Sequence, residues 1–231
     1  MSPGEMIKAE ASPPLTPDSM KERFQALWTR CLSPDAHNDA NAIWLNIDAH
    51  YTEPHRHYHD KQHLAHCLKQ FDLARELMDQ PDRVEMAIWF HDVINEPGRS
   101  DNEARSAAFF RYSAEGLIDE RFIASVVELI LVTTHRERPE DLDQQFICDV
   151  DLTSFGCQWD RYIRDTENLK AEFPGSEEEF YVGKLAFLRA LLTRPRIFYT
   201  DFFHDLYEQQ ARANIQRLLA YISHVATTSC R

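Results

Sequence analysis

Glycine is scarce in this chain, with six among 231 residues. Tight hairpins draw on glycine for positive backbone angles, and no segment alternates at period two for long, so an antiparallel sheet is disfavoured. Cysteines spaced as C-x-x-C are also missing. The five present, Cys31, Cys67, Cys148, Cys157 and Cys230, are scattered and odd in number, which reads as reduced thiols and not as a disulfide framework or a zinc knot. No apolar run approaches the ~18 residues of a membrane span. The first residues lack the apolar middle of a secretory signal. A cytoplasmic protein with no membrane partner is the expectation. Cationic residues are outnumbered, 25 Lys and Arg against 38 Asp and Glu, for a formal net charge of −13. A nucleic-acid backbone demands clustered cations, so no long nucleic acid is expected as a partner. Small phosphorylated molecules stay open, because a bound divalent cation and a few arginines can reverse the sign locally.

Helical periodicity is what the chain has instead. A start at Pro17-Asp18-Ser19 precedes Met20 to Cys31, with Phe24, Leu27 and Trp28 on one face. Ala40 to Tyr51 reads as a second helix, broken at Thr52-Glu53-Pro54. His59 to Met78 is a third, with Leu64, Cys67, Leu68, Phe71 and Ala74 recurring at helical steps. Pro81-Asp82 opens a fourth, with Val84, Ala87, Ile88 and His91 on one face. Asp101 and Asp119 can cap two more, the second ending at His135. A charged loop, Arg136 to Gln145, leads to a short apolar approach, Phe146-Ile147-Cys148, and then Asp149-Val150-Asp151. Two or three further helices follow, punctuated by Pro174-Gly175-Ser176 and Pro195, the last from about Phe203 to Ile222. The length suits one domain better than two. The expected architecture is therefore a single all-α bundle over residues 19–224 behind a disordered tail at 1–18.

Polar residues on apolar helix faces carry the chemistry. His63 lies one turn before Cys67 and two before Phe71. His91 follows Ala87 and Ile88 on their face, and Asp92 comes next. A carboxylate that close to a core is unfavourable unless paired or bound to a metal. Imidazole with carboxylate suits a divalent Mn, Fe, Co, Ni, Zn or Mg ion. The dipeptide His-Asp occurs three times, at His59-Asp60, His91-Asp92 and His204-Asp205. Only His91-Asp92 ends an apolar helix, follows a core-facing histidine by one helical hairpin and precedes a further aspartate, Asp151, beyond two more helices.

The ordered set His63, His91-Asp92, Asp151, with the strings PHRHYHDKQH, FHDVINEPGRSDNEARSA and CDVDL, resembles the HD superfamily of metal-dependent phosphohydrolases, most closely a bacterial-type branch of predicted phosphohydrolases. The resemblance runs from about Tyr51 to Ser154. It implies an HD-domain helical bundle, here with additional C-terminal helices, that binds a divalent metal through those four residues and hydrolyses a small phosphate ester, nucleotides included. Val150-Asp151-Leu152 matches the family's closing motif better than a frame ending on Asp149, which stays a rival. YHDKQH is similar to the YHN-x-x-H element of cyclic-nucleotide phosphodiesterases, with Asp60 in place of Asn. That likeness implies His63 as ligand and His59 as acid for the leaving oxygen, with the four-residue step placing both on one helical face.

Supporting roles follow from chemistry. Asp92 can orient or deprotonate the attacking water, and Glu96 and Glu103 can hold that water from one layer out. Arg56, Arg99, Arg136 and Arg138 offer the paired donors that match a phosphate. His135 can reach substrate or a second ion, or serve only the dipole at its helix end. Glu103 is equally a first-turn helix residue, and His55 and His57 read as loop residues. Two functions compete with hydrolysis: an HD-type di-iron oxygenase, for which His135 is the one extra histidine between the His-Asp pair and Asp151, and a non-catalytic nucleotide or metal sensor.

Overall fold

The computed structural model describes residues 16–228, with side chains through residue 222. The tail expected at 1–18 falls outside them up to residue 15. Pro17 and Asp18 already belong to the first helix, α1 (Pro17–Cys31), because Thr16 and Ser19 close a capping box ahead of a proline at the first helical position. The described chain is all-α. Ten α-helices are present among the described residues, and β structure there is limited to an isolated bridge, Leu32 to Ile118.

After α1 come α2 (Ala40–His50), α3 (Lys61–Ala74), α4 (Pro81–Phe90), α5 (Asn102–Ala114), α6 (Glu120–Val132), α7 (Leu142–Leu152), α8 (Trp159–Glu172), α9 (Glu177–Thr193) and α10 (Asp201–Thr228). Three points differ from the sequence reading. Asp101, expected to cap α5, makes no side-chain cap bond, because Arg99 takes both of its carboxylate oxygens. The helix expected over His59 to Met78 starts later, because Asp60 turns its side chain onto the N–H groups of Gln62 and His63 and so caps α3. It also ends earlier, tightening into a 3-10 turn at Arg75–Leu77. The expected loop and apolar approach before Asp149 is helical from Leu142, since Asp141 caps α7 through the Gln144 N–H.

Helix α4 is the hub, packing against α1, α3, α5, α6 and α7. Every residue from Val84 to Phe90 is buried, so over this run the helix is enclosed on all sides and not amphipathic. Phe24, Trp28, Trp44, Trp89 and Phe90 form one aromatic cluster around it, with ring centroids 5.5–6.4 Å apart. Glu85, 2% exposed, sits there against Arg23 at 2.8 Å and Arg30 at 3.4 Å. Arg23 also clasps Asp72 with two bonds, of 2.8 and 2.7 Å, tying α1 to α3.

The C-terminal helices seat on the turn that follows α7. Gly156 in that turn meets Tyr207 of α10 so closely that a Cβ there would lie 2.6 Å from the Tyr207 Cβ. Gly98, at φ +81°, brings the loop after α4 onto Pro174 between α8 and α9. The contact of Gly98 with Pro174 closes one wall of a cavity beside the helix ends that carry the functional residues.

Candidate metal centre

His63 enters from the first turn of α3, His91 caps the C-terminus of α4, Asp92 follows it, and Asp151 lies in the last turn of α7. The structure brings all four together. His63 Nε2 is 3.3 Å from Asp92 Oδ2 and 3.4 Å from Asp151 Oδ1. His91 Nε2 is 3.1 Å and 3.7 Å from the same two atoms. Donors on bonds of 2.0–2.1 Å around a tetrahedral ion stand about 3.3 Å apart, so these spacings fit a shared cation.

The imidazole of His91 is oriented for that role. Its Nδ1–H donates to the Ile88 carbonyl at 2.9 Å, which leaves a lone pair on Nε2. Nε2 is buried and aligned in no hydrogen bond. Burial works against charge on both rings, yet their neighbours outweigh it: Cys67, Tyr58 and the two carboxylates at His63, Asp92 and Asp151 at His91. Both imidazoles are held well above the usual range. Burial likewise opposes charge on Asp92 and Asp151, and the surrounding imidazoles outweigh it, holding both carboxyls well below theirs. Two carboxylates thus share a pocket whose countercharge is either protons on imidazole or a cation.

Cys67, absent from the expected ligand set, lies one turn beyond His63 with its Sγ 3.6 Å from His63 Nε2. His63, Cys67, His91 and Asp151 offer ligand atoms all within 4.8 Å of one another, so this buried group can hold a metal ion. The scattered-thiol reading passed over Cys67, although the four-residue step from His63 was visible. Asp149 faces elsewhere. Fully buried, it accepts the N–H groups of Tyr199 and Thr200 and the Thr200 hydroxyl, each at 2.7 Å, fastening α7 to the start of α10. Burial pushes its carboxyl up to about 6 against those donors.

His59 precedes α3, so the expected shared helical face with His63 does not exist. The loop nonetheless sets the two rings 5.8 Å apart. Glu172, at the end of α8, takes the N–H groups of His57, Tyr58 and His59 and the His59 Nδ1–H at 2.6 Å. Burial opposes the Glu172 charge, but His59 and these N–H donors draw its carboxyl down to about 2. Nothing local to residue 172 in the sequence signals this role.

Other expected site residues are placed differently. Arg56 is no phosphate clamp: its side chain is fully buried and donates to Glu53, to the carbonyls of His59 and Asp92, and to that of Val93. It staples the His59 loop to the His91-Asp92 turn. Glu96 is half exposed, is bound to Arg105 at 2.6 Å, and with Arg99 lines the cavity that opens beside Asp151. Glu103 sits in the first turn of α5, where its charge suits the helix end. Arg99 is clasped by Asp101, and Arg136 is exposed, donating to the Ser100 carbonyl at 3.2 Å. His135, at a left-handed φ of +54°, holds Asp151 through Nε2 at 2.8 Å. Its first contact is therefore a carboxylate of the centre.

A cavity of about 460 Å³ opens beside Asp151, His59 and His135. No helix among the described residues is long and apolar enough to cross a membrane. No protein-family model, curated protein or solved structure matches the chain.

Proposed function

We propose that the chain hydrolyses a small phosphate ester, nucleotides included, at a divalent-cation centre made by His63, His91, Asp92 and Asp151. The observation that carries the reading is the buried Nε2 of His91, whose ring is held by Ile88 through Nδ1 and which has no aligned hydrogen bond among two carboxylates and a second imidazole. A bound divalent cation would supply acidified water and charge withdrawal from a phosphoryl oxygen.

The remaining steps belong to side chains. Asp92 takes the proton of the attacking water as the new P–O bond forms. The P–O bond to the ester oxygen breaks, and His59, oriented by Glu172, gives a proton to that oxygen so that the alcohol leaves neutral. Ester and water thus become alcohol and inorganic phosphate. His135 keeps Asp151 turned toward the centre, and Arg56 fixes the loop geometry that holds His59 near it. Asp92 is preferred to Cys67 as fourth ligand because Asp92 Oδ2 lies close to both imidazole nitrogens and is itself only partly buried. The same reading places the protein in the cytoplasm, among soluble phosphate esters.

The test is incubation of purified protein and Mn²⁺ with nucleotides, cyclic dinucleotides and sugar phosphates, with products read by mass spectrometry. Release of phosphate or nucleoside by the wild type, lost in Asp92→Ala, is expected. A metal-loaded wild type that turns over no phosphate ester would overturn the hydrolase reading.

A further inference from the structure

The cavity beside the centre has one polar end and a largely apolar body. At the polar end lie His59, His135 and Asp151. The body is walled by Phe155, Tyr162, Leu169, Phe180 and Phe187, and Lys184 of α9 stands among them. The Phe155 ring packs 5.9 Å from Tyr162 and 6.2 Å from Phe187, tilted by 53° and 44° to them, making an aromatic wall that offers both ring faces and ring edges. Such a wall suits a planar ring and gives little to a polyol, whose hydroxyls would lose their water partners.

Three polar groups in this apolar body lack a hydrogen bond: the Tyr162 hydroxyl, Lys184, and the Asp165 Oδ2, which has Arg161 at 3.4 Å as its cation. Tyr162 is 3% exposed and its hydroxyl is buried with no hydrogen bond. An orphaned buried hydroxyl is unfavourable by about 1–3 kcal/mol, which a ligand acceptor would relieve. Lys184 forms no ion pair or hydrogen bond among the described residues. Its Nζ lies 5.3 Å over the Phe155 ring, and Asp165 is the one charge that acts on it. Burial pushes its ammonium down to about 8, so it remains largely protonated at neutral pH. Asp165 has Arg161 at 3.4 Å, so Lys184, which has no hydrogen bond or ion pair of its own in this ligand-sized cavity, is the cation there that can receive an anionic substituent.

We infer that this cavity is the subsite for the alcohol half of the ester, and that it selects a planar aromatic or heteroaromatic ring bearing an anionic or acceptor substituent, with Lys184 and the Tyr162 hydroxyl meeting that substituent. The inference rests on the hydrolase reading for the identity of the reacting group, but ring recognition needs neither metal nor turnover. The class it favours is the aryl phosphate over the sugar phosphate.

Binding of 4-hydroxybenzoate, a phosphate-free probe, to the metal-free full-length protein tests it by calorimetry, with glucose and phenol as controls. Saturable binding of 4-hydroxybenzoate, weaker binding of phenol and none of glucose are expected. Lys184→Met and Tyr162→Phe should each weaken 4-hydroxybenzoate by about tenfold, the size of one lost buried polar contact. Tyr162→Phe removes an unpartnered hydroxyl, so its unliganded melting temperature should hold or rise, and lost binding then cannot be put down to misfolding. Equal binding of glucose, or undiminished binding in both variants, would overturn the inference. A second arm measures turnover of 4-carboxyphenyl phosphate and glucose 6-phosphate with Mn²⁺. Ring binding without hydrolysis of either ester would sustain the subsite and overturn the hydrolase reading. Preferential hydrolysis of the aryl ester supports both.

Discussion

Glu85 and Asp92, one inside α4 and one just past its end, are both carboxylates withdrawn from water, and the chain treats them in opposite ways. Glu85 meets the permanent cations of Arg23 and Arg30. Asp92, like Asp151 beside it, meets only imidazoles. A guanidinium is always charged and stays where the chain puts it, so Glu85 is complete as it stands and serves the helix junction. Imidazole can be neutral, so Asp92 and Asp151 have a countercharge that can be exchanged, proton for metal. Asp149 falls between these cases, satisfied by backbone N–H groups and the Thr200 hydroxyl without any cation, and Glu172 combines three backbone N–H groups with the His59 ring. Whether a buried carboxylate is structural or functional is decided here by what neutralises it.

The contrast is sharpest under substitution. His91→Ala should weaken Mn²⁺ by more than about 100-fold, beyond the effect typical of losing an outer hydrogen-bond partner, and should leave the fold intact by circular dichroism. Glu85→Gln should do the reverse. It breaks a buried pair and should lower stability by about 3 kcal/mol, the low end because Arg23 keeps Asp72, while metal stoichiometry is unchanged. Chemical denaturation and metal titration of the same two variants measure both halves. If Glu85→Gln lost metal as readily as His91→Ala, the two regions would not be distinct.

The two aspartates of the CDVDL segment give the next test. Asp149→Asn places an amide against donors that need an acceptor, and should cost about 2 kcal/mol of stability without loss of metal. Asp151→Asn should lose metal with a smaller change in stability. This pair also marks how far the sequence was legible. The helices, and the order His63, His91-Asp92, Asp151, could be read because each histidine lies on an apolar helical face. The roles of the two aspartates could not be separated by periodicity, because their orientation depends on Thr200, 51 residues beyond Asp149. Glu172, 113 residues from His59, was invisible for the same reason. Arg56 was misread because a buried guanidinium and a phosphate-binding one look alike until their acceptors are known. The start of α7 was missed because charges around Asp141 resemble a loop, although one of them is the cap.

The effect of pH follows from the raised imidazoles. In the metal-free protein their pairing with Asp92 and Asp151 adds stability that is complete below the unfolded imidazole value of about 6.5, and that stability is lost as pH rises through the raised folded-state values. A divalent cation competes with those protons. From about pH 6 to about pH 9 the pairing's contribution to metal-free stability should therefore shrink while the increment given by Mn²⁺ grows, as thermal melts with and without metal would record. A metal increment independent of pH would mean that the ion does not displace imidazole protons.

Cys67 should give the smallest change. With Asp92 as fourth ligand, Cys67→Ser should shift the Mn²⁺ Kd by under about threefold, and a Co²⁺-loaded wild type should lack the strong near-ultraviolet absorption of a cobalt thiolate. A large loss in Cys67→Ser together with that band would move the fourth ligand from Asp92 to Cys67 and separate the metal from the proposed hydrolysis.

The most direct test of the central claim is metal content. Wild type and His91→Ala, each equilibrated with Mn²⁺ and desalted, would be assayed by inductively coupled plasma mass spectrometry. Stoichiometric retention by the wild type and none by the folded variant is the result the account predicts. A wild type that retains no metal, or a variant that retains as much, would contradict it.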